Sequence, residues 1–271
     1  MSEKKKVVIS VKNLVKNFGA RRILNGITLD IYEGETLVVM GGSGCGKSTF
    51  LRHLIGSIRP DSGEVWMFGR DIAKATEDEM DETRKKFGML FQSGALFDSL
   101  TVGENIALPM REHTKLDNNV ISIMVKMKLE MVGLRGFENL MPSQLSGGMK
   151  KRVGLARAIA LDPTIIFYDE PTAGLDPVMT GVVDKLTMDL TKKLNITSVV
   201  VTHDMNSVFR IADRIVMFHQ GSILEIGTPQ EIRASKNPIL QQFVTGEAEG
   251  PISFFQKGDD YLDHLTAEVK G

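Results

Sequence analysis

The chain has 271 residues, which is enough for one sizeable domain with a small appendage. Its 33 basic and 34 acidic residues give a net charge of -1. This balance argues against a nucleic-acid partner, because nucleic-acid binders normally carry a basic excess. The single cysteine, Cys45, excludes an internal disulfide framework. No apolar run approaches the ~20 residues of a membrane-spanning helix, so we expect a soluble, cytosolic protein. If it works at a membrane, a partner protein must supply the membrane-spanning part.

The first 70 residues alternate between strand and helix patterns. Residues 7–11 are β-branched, residues 27–31 alternate, and residues 35–40 form an apolar run typical of a buried strand. A helix is expected to begin near Lys47, with Phe50, Leu51, Leu54 and Ile55 on its apolar face. A turn at 60–63 then leads into a strand at 64–68.

The middle of the chain differs from both of its flanks. Residues 93–160 are rich in Met and Leu at helical spacing, which predicts a helical insertion between two core strands. Strand patterns return at 164–168 and 197–202 with a helix between them, so the sheet is expected to be parallel and doubly wound. Residues 213–227 predict a hairpin, and no periodicity is clear after about residue 236.

Residues 41–48 match the phosphate-binding pattern of glycine, four residues, then Gly-Lys-Ser. Glycines let backbone N–H groups converge on phosphates, and the following helix adds its positive N-terminus. Lys47 is placed to reach the β- and γ-phosphates, and the Ser48 hydroxyl to hold Mg²⁺. Cys45 is expected to be a small filler that thiol reagents can reach. The candidate ATP-binding residues here are Gly41, Gly42, Ser43, Gly44, Cys45, Gly46, Lys47, Ser48 and Thr49.

The strand pattern at 164–168 ends in two adjacent carboxylates, Asp169 and Glu170. Alone, this pattern is equally typical of a strand that runs into an acidic loop. Beside a phosphate-binding loop it predicts phosphoryl transfer to water, with Asp169 as a Mg²⁺ ligand and Glu170 as the general base.

The stretch Ser146-Gly147-Gly148 precedes a helix rich in basic residues and alanine. Ser146 is expected to cap that helix, and the two glycines would let an anion approach its N-terminus. A simple cap without a ligand is the alternative interpretation of this stretch.

Together these segments resemble the ABC-transporter ATPase family over about residues 7–234. The resemblance implies an α/β fold: a P-loop NTPase core of ABC ATPase type with a parallel sheet, an N-terminal antiparallel β subdomain and a helical insertion at about 93–160. Residues 1–234 would form the ATPase domain and residues 235–271 a C-terminal tail. It also implies a dimer in which Ser146, Gly147 and Gly148 of one copy close over the ATP held by the other.

Further roles follow from the same resemblance. Gln92 would contact Mg²⁺ and water, Asp176 would communicate across the dimer, His203 would contact the γ-phosphate, and Phe18 would stack on adenine. The catalytic set is then Glu170, His203, Lys47 and Gln92, and the Mg²⁺ ligands are Ser48, Gln92 and Asp169. Met149 departs from the family pattern, which has Gln there, and Met cannot donate a hydrogen bond.

Residues 93–114 resemble the corresponding part of the ATPases that serve bacterial MCE-type, lipid-asymmetry transporters. This implies an ATPase that moves phospholipids between the inner and outer membranes, bound peripherally at the cytoplasmic side of the inner membrane. The implied partners are a second copy, membrane permease subunits, a periplasmic MCE lipid-binding protein and a small STAS-domain protein. An importer ATPase for another small substrate and a soluble non-transport ATPase are the alternatives. The tail residues Phe254, Phe255, Tyr261 and Leu265 are expected to dock on the neighbouring subunit.

Overall fold

The computed structural model describes residues 5–252 of the chain. Its strands are β1 (Val7–Phe18), β2 (Arg21–Tyr32), β3 (Thr36–Gly41), β4 (Ser62–Met67), β5 (Arg70–Asp71), β6 (Phe87–Leu90), β7 (Ile165–Asp169), β8 (Thr197–Val201), β9 (Arg214–His219) and β10 (Ser222–Gly227). Its α-helices are α1 (Lys47–Leu54), α2 (Glu77–Arg84), α3 (Val102–His113), α4 (Asn118–Met131), α5 (Gly147–Ala158), α6 (Pro177–Leu194), α7 (Met205–Ile211), α8 (Pro229–Ala234) and α9 (Pro238–Thr245), and a 3₁₀ turn spans Pro142–Gln144.

The larger sheet has the order β10-β9-β3-β8-β7-β6. The strands from β9 to β6 run parallel to their neighbours, and β10 is added antiparallel to β9 at one edge. The predicted parallel sheet and the hairpin at 213–227 are therefore confirmed. Parallel strands place all their carboxyl ends at one edge, where α/β proteins bind their ligands.

The smaller sheet is antiparallel, with the order β2-β1-β4-β5. The strand patterns at 7–11 and 27–31 belong to one long hairpin of β1 and β2, in which Phe18 pairs with Arg21. The patterns cover only the first half of β1 and the second half of β2, because register shifts at Val11/Leu14 and Leu14/Val15 break the alternation in the rest of the hairpin. The expected antiparallel β subdomain is confirmed.

Alternation along the buried strands divides the core into two clusters. In β3, Leu37 and Val39 face α1 and the antiparallel sheet, whereas Val38 and Met40 face the opposite side. That opposite side is covered by the insertion between β6 and β7, which contains α3, α4 and α5. The predicted helical insertion is therefore confirmed, and its apolar face is what holds it on the sheet.

Helix α9 packs against the second of these clusters, the one that contains Val38 and Met40. Helix α9 buries Leu240 completely, and Phe243 and Val244 pack beside it. This helix was not predicted because it is only eight residues long; its signals are the cap Asn237 and Pro238 in the first turn. The division into a domain of residues 1–234 and a tail of residues 235–271 stays a prediction, and the four apolar tail residues lie outside the described part of the chain.

Candidate active site

The phosphate-binding loop and the predicted residues Gln92, Asp169, Glu170 and His203 lie at the carboxyl ends of four neighbouring strands. Gly41 ends β3, Asp169 ends β7 and pairs with Val201 at the end of β8, and β6 ends beside Tyr168. The phosphate-binding loop follows β3, Glu170 follows β7, His203 follows β8, and Gln92 follows β6. Strand order therefore brings together residues that are up to 162 positions apart in the chain (His203 minus Gly41).

Glycine is required at the start and end of the phosphate-binding loop. Gly41 has a φ of 148°, and a Cβ there would collide with the carbonyl oxygen of Phe218. Gly46 has a φ of 107°, and its Cβ would lie 2.9 Å from the carbonyl oxygen of Ile23. The Lys47 ammonium donates to the carbonyl oxygens of Gly41 (2.7 Å) and Gly42 (3.1 Å). The lysine therefore lies across the loop. Its positive charge is close to the N-terminus of α1, where phosphates would bind.

A cleft beside the loop has an aromatic wall. It is lined by residues of the first hairpin and of the loop-helix junction, namely Phe18, Arg21, Ile23, Gly44, Gly46, Lys47, Ser48 and Thr49. The Phe18 ring is 52% exposed, and the Lys16 ammonium lies 5.6 Å from its centroid. An exposed aromatic ring next to a phosphate site is suited to stack on a base. Arg21 and Ile23 were not predicted, although the pairing of Arg21 with Phe18 across the Gly19-Ala20 turn is a signal that a hairpin prediction would use.

Cys45 is not the accessible thiol that the sequence suggested. Its side chain is only 8% exposed, and burial raises the pKa of the thiol. Its backbone carbonyl accepts a hydrogen bond from the N–H of Gly221, which ties the loop to the β9-β10 hairpin. The expectation of a reagent-accessible thiol is therefore wrong, since a buried neutral thiol is a poor nucleophile.

Glu170 and His203 form a pair at the end of β7 and β8. The Nδ1 atom of His203 lies 2.9 Å from Oε1 of Glu170, and the His203 backbone N–H donates to Oε2 at 3.4 Å. Next to them, burial and the charge of Glu170 raise the pKa of Asp169, while Arg52 and Lys47 act in the opposite direction. Two carboxylates, an imidazole and an ammonium thus meet at one point of the sheet edge, which is the composition expected for hydrolysis of a phosphoanhydride.

Ser146 caps α5, as predicted: its Oγ accepts the backbone N–H of Met149 at 3.3 Å. Residues 146–148 are absent from the lining of the cleft beside the phosphate-binding loop. Met149 is partly buried against the core of the insertion, so packing takes the place of a polar contact there. Asp176 caps α6, accepting from the N–H groups of Val178 (2.9 Å) and Met179 (3.0 Å).

Gln92 is exposed and lies between the sheet and the helical insertion. The segment after it is fixed by the fully buried Asn105, whose amide donates to the carbonyl oxygens of Phe97, Leu100 and Thr101. Beyond this segment a mainly apolar groove of about 530 Å³ opens on the surface. Its lining includes Phe91, Phe97, Leu108, Pro109 and His113.

Comparison with known proteins agrees with this geometry. The ABC transporter family model matches residues 24–173. The intermembrane phospholipid transport system ATP-binding protein MlaF of Haemophilus influenzae is 44% identical, over 95% of this chain and 98% of that protein. A probable ribonucleotide transport ATP-binding protein, mkl of Mycobacterium leprae, is 43% identical, over 94% of this chain and 73% of that protein.

Two solved structures share the fold. One is the dimeric ATP-binding cassette MJ0796 in a post-hydrolysis state bound to ADP and Pi, with a TM-score of 0.76, 33% identity and coverage of 82% of this chain and 98% of that one. The other is cbiO1 of Clostridium perfringens, part of an ABC transporter complex, with a TM-score of 0.79, 29% identity and coverage of 86% and 92%. The relatives that match nearly the whole chain and the geometry of the site agree. This chain belongs to the ABC transporter family and is an ATP-binding, ATP-hydrolysing subunit.

Proposed function

We propose that the chain powers a membrane transporter that moves phospholipids between the inner and outer membranes, working at the cytoplasmic face of the inner membrane. The observation that supports hydrolysis is the Glu170-His203 pair beside Asp169 and the phosphate-binding loop. The cargo is supported by the relatives from Haemophilus influenzae and Escherichia coli, 44% and 42% identical, which are intermembrane phospholipid transport ATPases. Within residues 5–252, none of the helices has the length and apolar character needed to cross a bilayer.

In the proposed reaction, water attacks the γ-phosphorus of ATP, the bond between that phosphorus and the bridging oxygen to the β-phosphate breaks, and ADP leaves with the bridging oxygen. Glu170 orients that water and accepts its proton, because its carboxylate is shielded at 14% exposure and fixed by His203. His203, whose side chain is 67% exposed, holds the γ-phosphate. Lys47 offsets the charge that develops on the phosphate oxygens. Phe18 stacks on the adenine and keeps the nucleotide in register.

Mg²⁺ fits the same point of the sheet edge. The candidate ligands are the Ser48 hydroxyl, the Asp169 carboxylate and the Gln92 amide oxygen, and an all-oxygen donor set with one carboxylate is what Mg²⁺ prefers. Asp169 is the strongest of these, because a half-buried carboxylate with a raised pKa is stabilised by a cation. When bound by these residues, the ion would neutralise negative charge on the phosphates of the nucleotide.

The proposed working unit is a dimer of this chain. The phosphate-binding loop and its cleft supply only one side of a nucleotide site, whereas Ser146, Gly147 and Gly148 begin α5 elsewhere on the molecule. Two copies arranged head to tail would place each 146–148 segment over the other copy's nucleotide. The dimeric form of the related cassette MJ0796 supports this arrangement.

The groove beyond Gln92 is the proposed binding site for the membrane permease. It combines exposed rings at Phe91 (42%) and Phe97 (52%) with Leu108 and Pro109 of α3. An apolar groove next to Gln92 suits an amphipathic helix of a permease, and it places that helix one short segment away from the nucleotide. Arg157 connects the groove with the segment that follows Gln92. Its guanidinium donates to the carbonyl oxygens of Gly94 and Ala95 in that segment and lies over the Phe97 ring in the groove.

Two further partners belong to the proposal: a periplasmic MCE lipid-binding protein, reached through the permease, and a small STAS-domain protein. The surface offered to the latter is an exposed apolar stripe on and before α4. It comprises Leu116, Val120, Ile123, Met127 and Met131, which are 37–60% exposed and spaced three or four positions apart. Such a stripe on a surface helix marks a protein contact. Helix α9 of the tail packs on the core of its own chain, so the proposed docking on the neighbouring subunit is limited to the segment that carries Phe254, Phe255, Tyr261 and Leu265.

Transport of another small substrate is the second candidate, favoured by the mycobacterial relative of nearly equal identity. The two are separated by purifying the chain with its membrane partners and extracting what the complex holds. Phospholipid bound in stoichiometric amount supports the proposal. A complex that is free of phospholipid and binds a water-soluble substrate instead would overturn it.

A further inference from the structure

Helix α5 carries a buried positive charge that the proposed mechanism does not use. Lys151 is only 5% exposed, and burial lowers the pKa of its ammonium. Its Nζ donates to the carbonyl oxygens of Ala173 at 2.6 Å and Glu170 at 3.5 Å. A buried lysine is costly unless it is held by polar partners, so these two contacts are what keep Lys151 inside.

Both carbonyl groups belong to the turn that carries the proposed general base. Glu170 has a φ of +49°, a left-handed conformation that is unfavourable for a residue with a side chain. The turn is fixed at its N–H by the carbonyl oxygen of Val201 (2.8 Å) and at its carbonyl oxygen by the N–H of Ala173 (3.2 Å) and by Lys151. Because the backbone of Glu170 sets the direction of its side chain, the pull of Lys151 helps to aim the carboxylate at His203.

A second contact joins the same two segments one helical turn earlier. Gly148 packs so closely on α6 that a Cβ there would lie 2.7 Å from the Cε of Met179. Gly148 and Lys151 are three positions apart on α5, so they lie on one face of the helix. The 146–148 segment and the segment that follows Glu170 are thus in direct contact within one chain.

We propose that Lys151 is a positioning residue that couples the two nucleotide sites of the dimer. The inference rests on the proposed dimer, in which residues 146–148 of each chain close over the partner's ATP while Glu170 serves its own. Closure over the partner's nucleotide moves the start of α5. Lys151 transmits that movement to the turn at Glu170, so the general base is aligned when the opposite site is filled.

The first test compares three variants of the full chain. Lys151→Met removes the charge, Lys151→Arg keeps it, and Lys150→Met is the matched control, one position away on a side chain that makes no hydrogen bond within the described residues. Hydrolysis is measured against Mg-ATP concentration. Lys151→Met is expected to lower kcat about 3- to 30-fold and to bring the Hill coefficient towards one, at little change in the KM of ATP. Lys151→Arg should retain most of the wild-type kcat and Hill coefficient, and Lys150→Met should match the wild type in both quantities.

A wild-type kcat and Hill coefficient in Lys151→Met would overturn the inference. Equal loss in Lys151→Met and Lys151→Arg would also overturn it, because a purely steric role would be indicated. Glu170→Gln, assayed in parallel, distinguishes failure of the proposed function from failure of the coupling. If Glu170→Gln still hydrolyses ATP, the proposed function fails. If Glu170→Gln is inactive but the Lys151 variants behave like the wild type, only the coupling fails.

Mixed dimers test the direction of the coupling, and they remain decisive if Lys151→Met weakens folding. One chain carries Glu170→Gln, so its loop still binds ATP but only the other chain hydrolyses it. Lys151→Met in the chain with the intact Glu170 should reduce the rate, because Lys151 there aligns the working base when the opposite site is filled. The same change in the Glu170→Gln chain should cost less. The opposite ranking would show that the substitution damages the 146–148 segment, which contradicts a role in aiming Glu170.

Discussion

The Nδ1 atom of His203 lies 2.9 Å from Oε1 of Glu170, although the two residues are 33 positions apart in the chain. They follow the adjacent parallel strands β8 and β7, and the backbone N–H of His203 also faces the carboxylate. The carboxylate is shielded, whereas the imidazole is largely exposed. The pair therefore connects the proposed base with an imidazole that a phosphate can reach from solvent.

Replacing His203 with alanine removes that connection. The rate of ATP hydrolysis should fall about 100-fold, the usual cost of losing one preorganised contact to the reacting group. ATP affinity should change less than about threefold, since the phosphate-binding loop and Phe18 are untouched. Steady-state kinetics and equilibrium ATP binding check this. The exposed His113 at the end of α3 provides the control, and His113→Ala should keep the wild-type rate. Wild-type turnover in His203→Ala would contradict the assignment.

Tyr168 should make the protein sensitive to alkali. Its side chain is fully buried, and burial raises the pKa of its hydroxyl to about 12. Below the ordinary tyrosine pKa near 10 the hydroxyl is neutral in both states. As the pH rises from there through about 12, the unfolded chain loses the proton and the folded chain keeps it, so the free energy of unfolding falls by up to about 3 kcal/mol.

Urea unfolding of the wild type and Tyr168→Phe at about pH 8 and about pH 11 measures this effect. Every other group is common to both proteins, so the difference between them isolates Tyr168. The wild type should lose more stability than the variant. An equal loss would show that the hydroxyl is not buried as described.

Cys45 should react slowly with thiol reagents. It is buried, and its pKa lies above the ordinary value, so little thiolate is present near pH 7. We expect modification of the folded protein to be at least about tenfold slower than that of the urea-unfolded chain. The readout is unambiguous because the chain has one cysteine. Equal rates in both states would place the thiol at the surface.

Much of this site is predictable from the sequence because its motifs are local. The phosphate-binding loop, the Asp169-Glu170 strand end and the Ser146 cap each depend on a few neighbouring residues, and all three occur where the sequence places them. Strand order then brings them together, and the parallel sheet was predicted from the alternation of patterns.

The residues that were missed depend on tertiary contacts. In the sequence, Lys151 cannot be distinguished from the exposed basic residues of a surface helix. Its burial depends on a contact with the distant carbonyl oxygen of Ala173. Arg21 enters the cleft only because β1 and β2 continue past their bulges to pair at Phe18. Burial of Cys45 follows from the β9-β10 hairpin, which lies against the loop and is distant in sequence.

The groove beyond Gln92 makes a prediction about assembly. Phe97→Ala and Phe91→Ala remove exposed rings, so the isolated subunit should hydrolyse ATP at nearly the wild-type rate. Association with the membrane partner should weaken at least about tenfold, as is usual for aromatic anchors of an interface. Co-purification from membranes measures this. Ile226→Ala, at equal exposure to Phe91 but on β10, is the control that should assemble normally.

The central claim is that Glu170 is the base of an ATPase that works as a dimer. The most direct measurement uses Glu170→Gln, in which the side chain keeps its shape and loses the basic oxygen. The variant should hydrolyse ATP at least about 100-fold more slowly. It should still bind ATP, and size-exclusion chromatography in Mg-ATP should show a dimer held closed by unhydrolysed nucleotide. Turnover at the wild-type rate, or a monomer at saturating ATP, would contradict the claim.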